Sequence, residues 1–232
     1  MSPITISFIR GTVITLALTI ASIIFGIILA LILAFMRMGK SKILNGFAWF
    51  YVWIFRGTPL FLQIVVINFV PPLIYLSVTG KPMPRSNGIM TAGYLPMLLT
   101  SGEFKSGIIA LALNTGAYCC EIIRAGIESI DIGQHEAAKA LGMSKFTAMS
   151  KVIIPQTMKR IIPPFSNEFT LILKDSSLVS TIGLTELARV SRQLSAGGKW
   201  SYLFVGAAIY LFLTTFSTFA FDKLEKYFGR YE

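Results

Sequence analysis

A single histidine, His135, and two cysteines, adjacent at Cys119 and Cys120, remove most ligand and nucleophile chemistry from this chain. One imidazole supports neither a histidine metal cluster nor a Ser/His/Asp triad, and His135 reads as a solvent-facing loop residue. Neighbouring cysteines cannot build an ordinary disulfide framework and lack metal-ligand spacing, so they read as small residues of an apolar helix. No phosphate loop is present: Gly39-Lys40-Ser41 lacks the earlier glycine of G-x4-G-K-[ST]. Any ATP must therefore be bound by another polypeptide. Acids are also scarce, 11 against 21 lysines and arginines, for a net charge of +10. The cations are scattered between apolar runs rather than gathered with aromatics on one face, which argues against a nucleic acid partner.

What fills the chain instead is apolar sequence: 54% hydrophobic residues, 14% charged and a mean hydropathy of +0.68, outside the range of soluble domains. Thr12 to Met36 runs 25 residues without a charge, enough to cross ~30 Å of hydrocarbon with some tilt. The run is too long for a signal peptide and has a basic flank after it. Within it Gly26, Ala30 and Ala34 share one helix face, suited to close packing against another helix of the chain. Further spans are expected at residues 60–76, 107–123, 161–184 and 202–221. Phe47 to Phe55, with Trp49, Tyr51 and Trp53, fits an interfacial aromatic approach better than a crossing. At Arg56-Gly57-Thr58-Pro59, Thr58 and Pro59 predict a helix start, and Pro71-Pro72 predict a break or kink at its outer end. Ser77 to Ser106 and Thr185 to Ser201 read as outer loops, with Ile89 to Leu99 apolar enough for the interface, and Asp222 to Glu232 as a charged tail. With five crossings, the loops on one side hold 13 lysines and arginines against 7 on the other. That excess predicts an N-terminus outside and a C-terminus in the cytoplasm. The whole of 1–232 reads as one all-α, five-helix transmembrane domain.

The longest polar island is the inner segment of about 124–160. From Glu136 to Leu141 it holds good helix formers, and Gly142 suits a left-handed cap. Six residues make a rod of about 9 Å, too short to stand alone in water, so it needs a partner or firm ends. Glu136, Ala137, Ala138, Gly142 and Pro155 fall at the spacing E-A-A-x3-G-x9-[IV]-x-[IL]-P. This resembles the EAA signature in the permease subunits of binding-protein-dependent ABC importers, with Val152 and Ile154 as mild departures. RGTP at 56–59 and the TLxLA-type opening at Thr15 to Ala17 are similar to the polar amino acid branch, as is the Ala117 to Ile130 segment.

A second polar concentration lies in the fourth span, where Pro163-Pro164 precede Asn167, Glu168, Lys174, Asp175, Ser176 and Ser177. Asn167, Leu171 and Lys174 recur at helical spacing and share a face, while Glu168 and Asp175 share a neighbouring one. Exposing such charges to lipid costs ~2.5 to 3.5 kcal/mol each, so they imply a wet or protein-lined cavity. A zwitterionic amino acid needs both signs nearby, and a structural Lys174–Asp175 pair is the plainer alternative. Asn167-Glu168-Phe169 and Leu173 to Leu187 also resemble the pattern of amino acid permeases. In the third span, Glu121 is expected to pair with Arg124 near the inner interface rather than to meet substrate.

The resemblance implies a type I ABC importer permease fold in a bacterial cytoplasmic membrane. It implies as partners two ATP-binding cassette subunits carrying ATP and Mg²⁺, a second permease subunit, identical or paralogous, and an external substrate-binding protein. Glu136, Ala137, Ala138, Gly142 and Pro155 would belong to the ATPase-coupling region. Asn167, Glu168, Leu171, Lys174, Asp175 and Ser176 would line the path of a polar amino acid. The permease itself would bind no cofactor and catalyse no reaction. An ion-coupled secondary carrier would instead use Glu121, Glu168 or Asp175. An assembly subunit without a pathway would tolerate apolar replacement of Lys174 and Asp175 together.

Overall fold

The structure, a computed structural model, describes residues 2–83 and 101–229, and the expected interfacial stretch Ile89–Leu99 lies outside them. In chain order the described helices are α1 (Pro3–Met38), α2 (Lys42–Gly57), α3 (Leu60–Thr79), α4 (Gly102–Glu128), α5 (Ile132–Ala140), α6 (Lys145–Ala148), α7 (Ile154–Asp175), α8 (Leu187–Ser195) and α9 (Ser201–Gly229). A π-turn, Met149–Ile153, leads into α7, and a 3-10 segment, Ser176–Ile182, leaves it.

Four of these, α1, α3, α4 and α9, are long and apolar enough to cross a membrane by length and composition. Helix α7 is not among them, because Lys159, Arg160, Glu168, Lys174 and Asp175 interrupt its apolar face. Most helices also outrun the apolar runs that predict them. Ser2, whose Oγ accepts from the Thr5 amide at 3.2 Å, caps α1 well before the uncharged stretch, with Pro3 in the first turn. Helix α9 continues into the expected charged tail.

A helix does start directly after Thr58-Pro59, but its cap differs from the one expected, and the expected break at Pro71-Pro72 is absent. Thr58 is the C-cap of α2 and Pro59 is the N-cap of α3. The Thr58 hydroxyl donates back to Ile54 O and accepts from Gln63 Nε2 of α3, each at 2.8 Å, so it links the two helices without capping α3 through a backbone amide. Helix α3 passes through Pro71 and Pro72 without a break in its assignment and ends at Gly80, whose φ of 65° makes the left-handed stop. The amides lost at the prolines cost less at an end lined with apolar residues than an early termination would.

Helix α4 is central, the most buried of the four long helices, whereas α3 and α9 keep most of their apolar surface on the outside. Close approach depends on small residues. A Cβ on Gly26 would lie 2.8 Å from Thr115, and Ala30 and Ala34 of the same face are buried. This is the intrachain packing anticipated for the small-residue stripe of α1. Near the C-terminal ends of α1 and α4, Ala30, Leu33 and Ala34 pack with Ala48, Val52, Ala117, Cys119, Cys120 and Ile123. Both cysteines are free and buried there. Towards the opposite end Leu18, Ile64, Phe104, Leu111, Ile172 and Val179 form the other large cluster. The expected outer loop after residue 185 contains α8, whose Leu187 and Val190 pack on Phe8 of α1.

Candidate functional site

At the C-terminal end of α4 a chain of charges prepares the segment that follows. Glu121 accepts from Arg124 Nε at 3.1 Å and Nη2 at 2.7 Å, as its spacing predicts, and its other oxygen lies 3.5 Å from Arg37 Nη2 of α1. Arg124 also donates to Glu128 at 2.5 Å. The Ser129 carbonyl accepts from Arg160 of α7, and Gln156 Nε2 donates to Gln134 Oε1 at 3.0 Å. These bonds tie the loop 129–155 to the helices that begin and end it.

Within that loop α5 is built from its own sequence. Asp131 caps it, its Oδ1 accepting from the Gly133 amide at 2.6 Å. At the other end Met143 N donates to Ala138 O and Gly142 N to Lys139 O, each at 3.0 Å, with Gly142 at φ 73°. That pair of bonds is a Schellman stop, and Gly142 supplies the left-handed residue it requires. Ser144 then caps α6 by accepting from Thr147 N at 3.1 Å. Pro155, exposed in the first turn of α7, has no amide to give, and the preceding turn widens so that Ile154 N donates to Met149 O.

The face so formed is unusual for a polar segment. Ile132 is 73% exposed, Leu141 76% and Phe146 83%, with Glu136, Ala137 and Gly142 exposed among them. Ala138 is 2% exposed and turns inward, so it anchors α5 to its own chain. His135 is exposed. A Cβ on Gly142 would meet no atom within 4 Å. These apolar side chains stand free at a helix too short to hold itself in water. Sequence reading missed Ile132, Leu141 and Phe146, although three large apolar residues inside the one polar island were the available signal.

The structure divides the polar residues of α7 into two groups. Asn167, Leu171 and Lys174 lie exposed along one outward stripe. Glu168, 7% exposed, faces inward on a cavity of about 460 Å³ between α1, α4, α7 and α9, together with Thr115 and Thr157. Among the described residues those two hydroxyls have no hydrogen-bond partner. Ser176 is buried and donates to Leu173 O at 2.8 Å, while Asp175 is half-buried where α7 tightens into the 3-10 turn. No ion pair within 4 Å joins Lys174 to Asp175 among the described residues.

Beyond the 3-10 segment, Glu186 is a fully buried cap of α8. It accepts from the Ala188 and Arg189 amides, each at 2.7 Å, and from Tyr210 Oη at 3.0 Å. Burial pushes its carboxyl up from the ordinary value, against the opposing pull of these donors and of Arg192.

The chain is similar to known transport proteins along nearly its whole length. The family of binding-protein-dependent transport system inner membrane components matches residues 22–229. A putative glutamine transport system permease protein of Rickettsia typhi is 34% identical over 221 residues, covering 94% of this chain and 91% of its own. The arginine transport system permease protein ArgU of Corynebacterium glutamicum is 39% identical over 219 residues, 93% of this chain and 66% of its own. The crystal structure of an amino acid ABC transporter with histidines superposes with a TM-score of 0.79 at 35% identity, covering 96% of this chain and 94% of that one. An inward-facing MetNI methionine ABC transporter chain shares the fold, with a TM-score of 0.74 at 18% identity, 99% of this chain and 100% of that one.

Proposed function

This chain belongs to the family of binding-protein-dependent transport system inner membrane components, and we propose that it is the permease subunit of an ATP-driven amino acid importer whose loop 129–155 docks on a separate ATPase. The observation that carries the coupling role is the exposed trio Ile132, Leu141 and Phe146 around the capped helix α5. In water, so much free apolar surface on a short helix is stabilised by a partner. ATP and Mg²⁺ belong on that partner, together with the catalysis. The similar permeases belong to glutamine and arginine transport systems, which supports a polar amino acid as cargo.

In this reading α7 crosses with the four long helices, giving five spans, with the N-terminus outside and the coupling loop and C-terminus in the cytoplasm. The distribution of lysine and arginine supports that orientation. The exposed stripe Asn167, Leu171 and Lys174 then needs cover, since lipid contact would cost ~2.5 to 3.5 kcal/mol for the lysine alone. A second permease subunit provides it, and the path runs between the two, with Glu168, Asp175 and Ser176 supporting it from within. An external binding protein delivers the amino acid. ATP binding and hydrolysis bias two states of the membrane pair, and the loop transmits that bias. An ion-coupled carrier is not favoured. Glu121, one of the acids it would use, is held by Arg124 and Arg37.

Vesicles containing this chain with its co-expressed ATPase and binding protein test the proposal. Accumulation of radiolabelled amino acid is expected only with ATP on the cytoplasmic side. Uphill uptake driven by a proton or sodium gradient in vesicles lacking the ATPase would contradict it.

A further inference from the structure

At the end of the bundle opposite α5, two depressions of about 440 and 600 Å³ meet at Gly183 and Gln193. One is lined by Glu103 of α4 together with Arg10 of α1, and the other by Arg189 and Arg192 of α8. Gly183 stands between the two signs. A Cβ built there would lie 3.7 Å from Glu103 Cγ and 3.7 Å from Arg189 Nη1, so the acid and the base are no more than twice that apart. They do not neutralise each other: among the described residues no ion pair joins Glu103 to Arg189 or Arg192.

The arginines are nonetheless fixed. Arg189 Nη1 donates to Ser180 O at 3.2 Å and Arg192 Nη2 donates to Ser180 Oγ, which aligns both guanidiniums on the 3-10 segment. Each guanidinium has five N–H donors, and one is used in each of these bonds. The nearby Glu186 carboxylate is already occupied by two amides and Tyr210. Two positioned forks therefore face an open cavity with donors to spare, and a carboxylate is the group that matches them. The glycine, at φ 107°, leaves the space between the charges unfilled by a side chain.

We propose that this vestibule receives the zwitterionic head of the amino acid, its α-carboxylate on Arg189 and Arg192 and its α-ammonium towards Glu103, before the ligand reaches the α7 stripe. The assignment rests on the permease reading above and adds to it a site that recognises the part common to all amino acids. Discrimination between side chains is left to other groups.

The test is a charge series at Arg192 in the complete importer, reconstituted in vesicles with ATP inside and a mixture of the twenty radiolabelled amino acids delivered by the binding protein. Assembly is checked by size exclusion before reconstitution. Maximal uptake is expected to fall in the order Arg192, Arg192→Lys, Arg192→Gln, Arg192→Glu, with the glutamine variant down about tenfold to a hundredfold, the loss of a charged hydrogen bond. The KM for the binding protein should stay unchanged, and Glu103→Gln should lower maximal uptake as well. Equal losses for lysine and glutamine would assign Arg192 to holding Ser180 alone and overturn the proposal. So would undiminished uptake in Arg192→Gln, or a raised KM at unchanged maximal rate, which would mean that the arginines hold an acid of the binding protein. Absence of ATP-driven uptake by the unsubstituted importer would instead overturn the permease reading beneath it.

Discussion

Asn114 Nδ2 on α4 donates to Gln63 Oε1 on α3 at 3.0 Å, inside the protein. Gln63 Nε2 in turn donates to Phe55 O at 2.9 Å and to Thr58 O and Oγ1 at 3.1 and 2.8 Å, and Asn114 also reaches Phe55 O at 3.1 Å. The pair thus satisfies carbonyls at the end of α2 that the helix itself leaves without partners. Gln63→Leu takes this donor from Thr58 O and an acceptor from Asn114, leaving Phe55 O to Asn114 alone, and is expected to destabilise the fold by about 1–3 kcal/mol. Unfolding in detergent, followed by heat or denaturant, reads this directly, and an unchanged midpoint would contradict the account.

The ion chain at the C-terminal end of α4 is graded by burial. Glu121 is held between Arg124 and Arg37 with little exposure, whereas Glu128 is more than half exposed. Glu121→Ala leaves two guanidiniums without their shared acceptor and is expected to cost about 1–3 kcal/mol. Glu128→Ala removes a surface pair and is expected to cost about 0–1 kcal/mol. Equal losses in unfolding experiments would mean that the connection from α1 to α4 does not depend on Glu121.

Helices α4 and α7 meet at a position where even a methyl group is too large. A Cβ on Gly126 would lie 2.2 Å from Ile161 Cγ2. Gly126→Ala is expected to destabilise by about 1–3 kcal/mol through overpacking, although alanine is the better helix former. Adding Ile161→Ala should recover part of that loss, because the clash involves those two side chains. A double-mutant cycle with no coupling would place the helices further apart than described.

The proposed coupling surface should separate partner binding from folding. Phe146→Ser and Leu141→Ser change exposed side chains and are expected to leave stability within about 0.5 kcal/mol, while greatly reducing the ATPase retained on purification. Gly142→Asp is expected to abolish ATP-driven uptake with membrane insertion intact. No atom lies within 4 Å of the added Cβ, so the effect arises from the partner and from the strained left-handed cap. Full ATPase retention in all three variants would remove the loop from the coupling mechanism.

Local chemistry explains what was legible in the sequence. The Gly142 cap, the Glu121–Arg124 pair and the small-residue face of α1 each follow from residue type and helical spacing alone. Helix α8 was missed because its charges and the glycines after it read as a loop. Yet Leu187, Val190 and Leu194 repeat at three and four residues, and Glu186 stands at the cap position. The Gln63 network was not legible, since it joins residues that only folding brings together. Hydropathy also misdirects at Leu141 and Phe146, where it implies burial and the single chain leaves them exposed. On α7, spacing correctly put Asn167, Leu171 and Lys174 on one face, but which neighbours cover Glu168 depends on α1, α4 and α9.

The most direct measurement places a photo-reactive benzophenone side chain at Phe146 and irradiates the assembled importer in its membrane. The account expects a covalent adduct with the ATPase subunit, in a yield that changes when ATP is bound. Adducts with lipid alone, or none while the ATPase remains bound elsewhere, would contradict it.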